Sequence, residues 1–153
     1  MNSQNALIEK VQELLTQIPI EGVMNHLTGS HPAHIELVSQ TVLMPEVASR
    51  MDITAGLWLY VDDLDRSHVI CQDLETPTGS LWHGILHRRE GDYSNSRYWM
   101  RRAANHPLIS TGKMDPNKLI TAVEQSTNRN DPQLISAQKE EWTLLFNWCL
   151  QQA

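Results

Sequence analysis

Disulfides are the first thing this chain cannot rely on. Its 153 residues include two cysteines, Cys71 and Cys149. They lie far apart and each falls on an apolar helical stripe, so both are expected as buried free thiols, as in a reducing cytosol. No run approaches the ~18 consecutive apolar residues of a membrane span. The opening MNSQNALIEK has no basic segment followed by an apolar stretch, so no secretory signal is read there. A cytoplasmic protein without a membrane partner is the expectation.

Positive charge is also scarce, with 12 Lys and Arg against 18 Asp and Glu and a net charge of −6. That balance argues against nucleic acid as a partner, which normally calls for a basic excess. The chain lacks a glycine-rich phosphate loop and a GxSxG nucleophile motif, and neither cysteine has an activating setting. Asp62, Asp63 and Asp65 open like a calcium loop but lack its glycine and distal glutamate. Strand alternation bounded by hairpin signals is missing too.

Helical periodicity fills the space these absences leave. Leu7, Ile8, Val11, Leu14, Leu15 and Ile18 recur at helical spacing until Pro19. Helices are expected over about 31–43, 46–60 and 64–74, then as two consecutive units over about 81–90 and 93–104. Asp92 is placed to cap the second of these, with capping by Thr78 or Ser80 before the first and a stop at His106-Pro107. Asp115-Pro116 and Asp131-Pro132 each put a capping carboxylate before a proline at the first helical position. The last helix should bury Leu134, Ile135, Trp142, Leu145, Phe146 and Cys149 and leave Trp148 off the stripe. The reading is one all-α domain over 1–153 with about seven helices.

A repeat is visible inside it. Residues 52–77 laid over 81–106, a shift of 29, bring Asp63 onto Asp92, Ser67 onto Ser96 and Leu57 onto Leu86. The second unit, GDYSNSRYWMRRAANHP after SLWHGILHRRE, resembles a tetratricopeptide or Sel1-like helix-turn-helix repeat. It has Gly91-Asp92-Tyr93 at the turn, Ala103 inside and Pro107 at the exit. The resemblance implies repeat-like pairs over about 46–77 and 78–107, whose first helices line a concave groove. The run from TPTGS to YW is also similar to small microbial proteins of unknown function, which implies no activity.

The chemistry gathers in this stretch. On a helix over 81–90, Leu81, Trp82, Ile85 and Leu86 share one face, while His83, His87 and Glu90 fall on the other. Histidines four apart can meet one divalent metal ion such as zinc, iron or manganese. The third ligand would be Glu90, or His68, His106, Asp62 or Asp65 from elsewhere. Five arginines, Arg88, Arg89, Arg97, Arg101 and Arg102, crowd into fifteen residues. Arg97 and Arg101 are one helical turn apart and able to clamp a carboxylate or phosphate, unless salt bridges to Glu90, Asp92 or Asp73 occupy them. His68 and Gln72 hold the equivalent places in the first unit. At the places of His83 and His87 that unit has Thr54 and Trp58, so packing of the repeat does not demand histidine. His26, His31 and His34 form a weaker loop cluster.

Three functions follow as expectations. The first is a groove lined by His68, Gln72, His83, His87, Arg97 and Arg101 that binds a small anionic molecule or an acidic peptide. In it the arginines hold the anion and the histidines hydrogen-bond or move protons. The second is a small metal-dependent enzyme with His83 and His87 as ligands, completed by Glu90 or His68, and His68, His83 and His87 as the catalytic candidates. The third is an interaction scaffold without small-molecule chemistry. Homo-oligomerisation is left open.

Overall fold

Aspartate and proline mark where most of the chain turns into helix. Asp63, Asp92, Asp115 and Asp131 each accept a hydrogen bond from a backbone N–H in the first turn that follows. Such caps satisfy donors that a helix start leaves unpaired. The computed structural model describes residues 2–152 and, among them, ten α-helices and no strand. These are α1 Ser3–Gln17, α2 Ile35–Val42, α3 Pro45–Ala48, α4 Met51–Tyr60, α5 Leu64–Cys71, α6 Pro77–Glu90, α7 Tyr93–Arg102, α8 Pro107–Ser110, α9 Pro116–Gln125 and α10 Pro132–Gln151. A single 3-10 turn, Ile20–Gly22, follows α1. No helix is long and apolar enough to cross a membrane.

The count exceeds the roughly seven expected because one expected helix divides in two and a short helix, α8, appears where none was expected, while another helix starts later than expected. The helix expected over 46–60 divides into α3 and α4 at Ser49-Arg50. There Arg50 binds the Asp52 carboxylate and donates to the Cys149 and Gln152 carbonyls at the end of α10. A cation is favourable against those otherwise unpaired carbonyls. The helix expected from residue 31 begins only at Ile35. Before it, the N–H groups of His31 and Ala33 donate to the carbonyls of Asp62 and Val61, which hold this segment extended. Between 103 and 107 the chain turns, and His106 caps a separate short helix, α8.

Two helical hairpins, α4–α5 and α6–α7, form the centre, and the 29-residue repeat is legible in their hydrogen bonds. At the first turn Asp62 has φ +63°, and at the second Gly91 has φ +82°. Asp63 N–H donates to the Trp58 carbonyl at 2.9 Å, and Asp92 N–H to the His87 carbonyl at 2.9 Å. Ser67 donates to the Ala55 carbonyl at 2.9 Å, and Ser96 to the Gly84 carbonyl at 2.6 Å. Both serines are buried. Every one of these pairs is separated by the same shift. The helices around the hairpins do not share the pattern, having lengths of their own.

Around this centre, α1 packs on α2 and α3, while α10 lies across α4 and α9. Trp142 of α10 donates its indole N–H to the Gly56 carbonyl at 2.8 Å, and Leu145, Phe146 and Cys149 are buried beside it. Trp148 is half-buried and its ring lies 4.4 Å from that of His106. Burying each large apolar side chain stabilises the fold by about 1.5–3 kcal/mol. Helix α6, contacted by α4, α5 and α7, is buried from Thr78 to Arg89. It therefore has no solvated face, unlike the two-sided helix its sequence suggests.

Candidate functional site

Because α6 runs through the middle, its polar residues have to find partners inside the protein. His83 and His87, one turn apart, are 4% and 7% exposed. Helix α5 packs beside α6 and brings the half-buried His68 to them. One nitrogen from each of His68, His83 and His87 lies within 4.8 Å of the other two. Ring centroids of His83 and His87 are 4.7 Å apart and nearly parallel, and His68 meets both edge-on at 5.0 and 5.6 Å.

The surroundings leave one ring nitrogen of His83 unpartnered and hydrogen-bond both nitrogens of His87. Trp99 of α7 stacks on His83 at 3.9 Å with only 10° between the planes. Burial, with His87 and His68 alongside, pushes the His83 imidazole down to about 4. It is therefore neutral near pH 7, and its buried Nδ1 has no hydrogen-bond partner. His87 Nδ1 lies 3.0 Å from Glu90 Oε2, and its Nε2 lies 3.3 Å from Asn95 Nδ2. A carboxylate at Nδ1 assigns the proton to that nitrogen and leaves Nε2 as the lone-pair atom.

Of the expected site residues, the structure unites the three histidines and distributes the rest. Glu90 touches His87 from behind instead of joining the cluster. His106 is buried elsewhere, between Thr78 Oγ1 at 3.2 Å and the Leu108 N–H at 3.1 Å. Asp62 pairs with Arg89, and Asp65 is exposed. Arg97 is engaged by Glu124 of α9 at 2.7 Å and by Thr121, not by Glu90, Asp92 or Asp73. Its fork is thus already occupied, while Arg101 is exposed, with its guanidinium 6.0 Å from the Tyr98 ring. Gln72 is exposed at the end of α5. His26 and His31 stack on each other at 3.9 Å, and His34 sits at φ +54° before α2.

Arg88 and Arg89 have a role that charge counting did not reveal. They are 0% and 1% exposed. Arg88 donates to Glu141 of α10 at 2.6 Å; Arg89 pairs with Asp62 and donates to the Leu59 carbonyl at 2.7 Å. The arginine cluster is consequently divided between the core, α9 and the open surface of α7. The available sign was that Arg88 lies seven residues after Leu81 and Arg89 four after Ile85, so both continue the apolar stripe of α6.

Next to the histidines lies a polar cavity of about 540 Å³ between the end of α5, the start of α6 and α7. Trp99, Ser80, Gln72, Glu75 and Arg102 are on its wall, as is Cys71. Burial pushes the Cys71 thiol up to about 12, so it is no nucleophile near neutrality. Chemically, three imidazoles whose nitrogens lie within 4.8 Å of one another suit a transition-metal ion, with a polar chamber alongside for a second molecule. Comparison with protein-family models, with curated proteins and with solved structures finds no match for this chain.

Proposed function

We propose that His68, His83 and His87 hold one divalent transition-metal ion, zinc or iron in preference to the oxygen-seeking manganese, and that the centre is a small metal-dependent enzyme's. The observation that carries this is the convergence of the three ring nitrogens within 4.8 Å. A tetrahedral ion with bonds of ~2.0–2.1 Å spaces its ligands ~3.3 Å apart, so movements of roughly an ångström would close the set. Among the described residues no fourth His, Cys, Asp or Glu joins the group. Three imidazoles with an open position are the ligand pattern of a catalytic site, whereas structural zinc takes four protein ligands. Bound there, such an ion supplies a Lewis acid and an activated water for hydrolysis or hydration.

The chain's own residues have separable tasks. Glu90 fixes the His87 tautomer and orients the ring, as the outer carboxylate does in carboxylate–histidine–metal arrangements. Trp99 holds the His83 plane and shields it from water. Asn95, whose amide N–H donates to His87 Nε2 at 3.3 Å in the tautomer that Glu90 sets, would have to release that atom for an ion to bind there. The arginine clamp of the anion-groove reading is weakened by the Arg97–Glu124 pair.

The test is elemental analysis and zinc titration of protein purified without a histidine tag. About one zinc or iron per chain is expected, lost in the His83→Ala/His87→Ala variant whose helicity is checked by circular dichroism. Glu90→Gln should weaken binding by about 10–100-fold without abolishing it, the usual effect of an outer-shell change. A wild-type protein that takes up no ion on reconstitution would end this reading.

A further inference from the structure

We propose that the cavity beside the histidines is an oxyanion subsite, taking the carboxylate or phosphate group of a small substrate on Arg102 and Ser80. Calling the ligand a substrate rests on the metal-centre reading; the subsite itself does not need the ion. The cavity reaches the histidines through three side chains. Trp99 lies on its wall and stacks on His83. Ser80 is on the same helix one turn before His83, and Gln72 one turn after His68.

Two independent features point to an anion. The first is Ser80, only 8% exposed and on the cavity wall, whose hydroxyl has no side-chain hydrogen-bond partner among the described residues. The sequence suggested Thr78 or Ser80 as the cap of α6, but Thr76 performs that task, accepting from Gly79 N–H at 3.0 Å. This frees Ser80 at the positive end of a 14-residue helix. Gly79 permits the arrangement, since a Cβ there would lie 2.0 Å from the Leu74 carbonyl oxygen. The second feature is Arg102. Its guanidinium lies 5.3 Å from the Trp99 ring and 5.9 Å from Tyr98, with only a 3.4 Å contact to the Tyr98 hydroxyl. Among the described residues no carboxylate pairs with it, so its planar fork remains available for an oxyanion.

Glu75 is the one carboxylate on the wall. It repels a polyanion, so the fitting ligand carries a single oxyanion group, with a neutral or cationic remainder lying toward Glu75. A volume of about 540 Å³ matches a small molecule.

The experiment is calorimetric titration of inorganic phosphate and of acetate into chelator-treated, metal-free protein and into zinc-loaded protein. In the metal-free wild type, one of the two anions should bind one to one, and which one identifies the oxyanion. Arg102→Gln should weaken binding by about tenfold and Ser80→Ala by a few-fold, as expected for losing a charged and a neutral hydrogen bond. Arg101→Gln, on an exposed neighbour off the cavity wall, should change nothing. Binding that ignores Arg102→Gln, binding seen only with zinc present, or no binding of either anion would overturn the subsite. Metal-free binding that depends on Arg102, in a protein that never takes up zinc, would uphold the subsite and remove only the metal centre.

Discussion

The α4–α5 and α6–α7 hairpins are built to one plan and differ in what they present sideways. Both turn through a left-handed residue, Asp62 or Gly91, and both cap the second helix with aspartate. Both anchor a buried serine to a carbonyl of the first helix. Those positions carry the packing. The lateral positions are where the chemistry changes. Thr54 and Trp58 of the first hairpin become His83 and His87 in the second. His68 in α5 corresponds to Arg97 in α7, and each reaches a helix further along the chain. From α5 the contact is with the histidines of α6, and from α7 it is with Glu124 of α9. The same scaffold thus yields a cluster of three imidazoles at one seam and a surface ion pair at the next.

The seam between the hairpins is also tied by charge, and breaking that tie should have the largest effect on stability. Arg89→Ala would leave the Asp62 carboxylate, in the first turn, buried without its partner. Removing one member of a buried pair costs about 3–5 kcal/mol, so the urea midpoint should fall steeply, with helicity at zero denaturant confirming that the variant folds. A surface-like loss of a few tenths of a kcal/mol would show that Asp62 re-hydrates freely.

A smaller effect sharpens the equivalence. Ser67→Ala and Ser96→Ala should each lose about 1 kcal/mol, the net worth of a typical buried hydrogen bond, and by similar amounts. Clearly unequal losses in chemical denaturation would mean that the two hairpins share geometry without sharing energetics.

The smallest effect concerns their exits. After the first hairpin the chain has Pro77; at the corresponding place after the second it has His106. Burial holds the His106 imidazole below its ordinary value of 6.5. The unfolded chain therefore takes up its proton first as pH falls. Stability on this account is fully present above about 6.5 and declines below it. His106→Gln should flatten the difference in urea midpoint between pH ~7.5 and ~5.5, measured in chelator so that metal does not contribute. A slope as steep as wild type's would assign the acid sensitivity to another group, with His83 the first to examine.

Some of this was legible in the sequence, and the reasons differ by residue. Asp-Pro starts and the repeat of Asp63 and Ser67 in Asp92 and Ser96 are local signals, set by capping and helical phase. The His83–His87 pair was readable for the same reason. His68 appeared as one of several third ligands, because choosing it over Glu90 requires knowing that α5 packs against α6. The break at Arg50 depends on carbonyls of Cys149 and Gln152, about a hundred residues onward. The burial of Arg88 depends likewise on Glu141. Charge crowding on a helix reads as a solvated face until the partners are located on other helices.

The most direct measurement is the visible spectrum of the protein titrated with cobalt(II), comparing wild type, His68→Ala and Arg97→Ala. These two variants alter the same position of the two hairpins. The expected result is one tetrahedral cobalt per chain in wild type and Arg97→Ala, and none in His68→Ala. A tetrahedral spectrum that persists in His68→Ala, or that never forms in wild type, would contradict a metal centre at the seam between the hairpins.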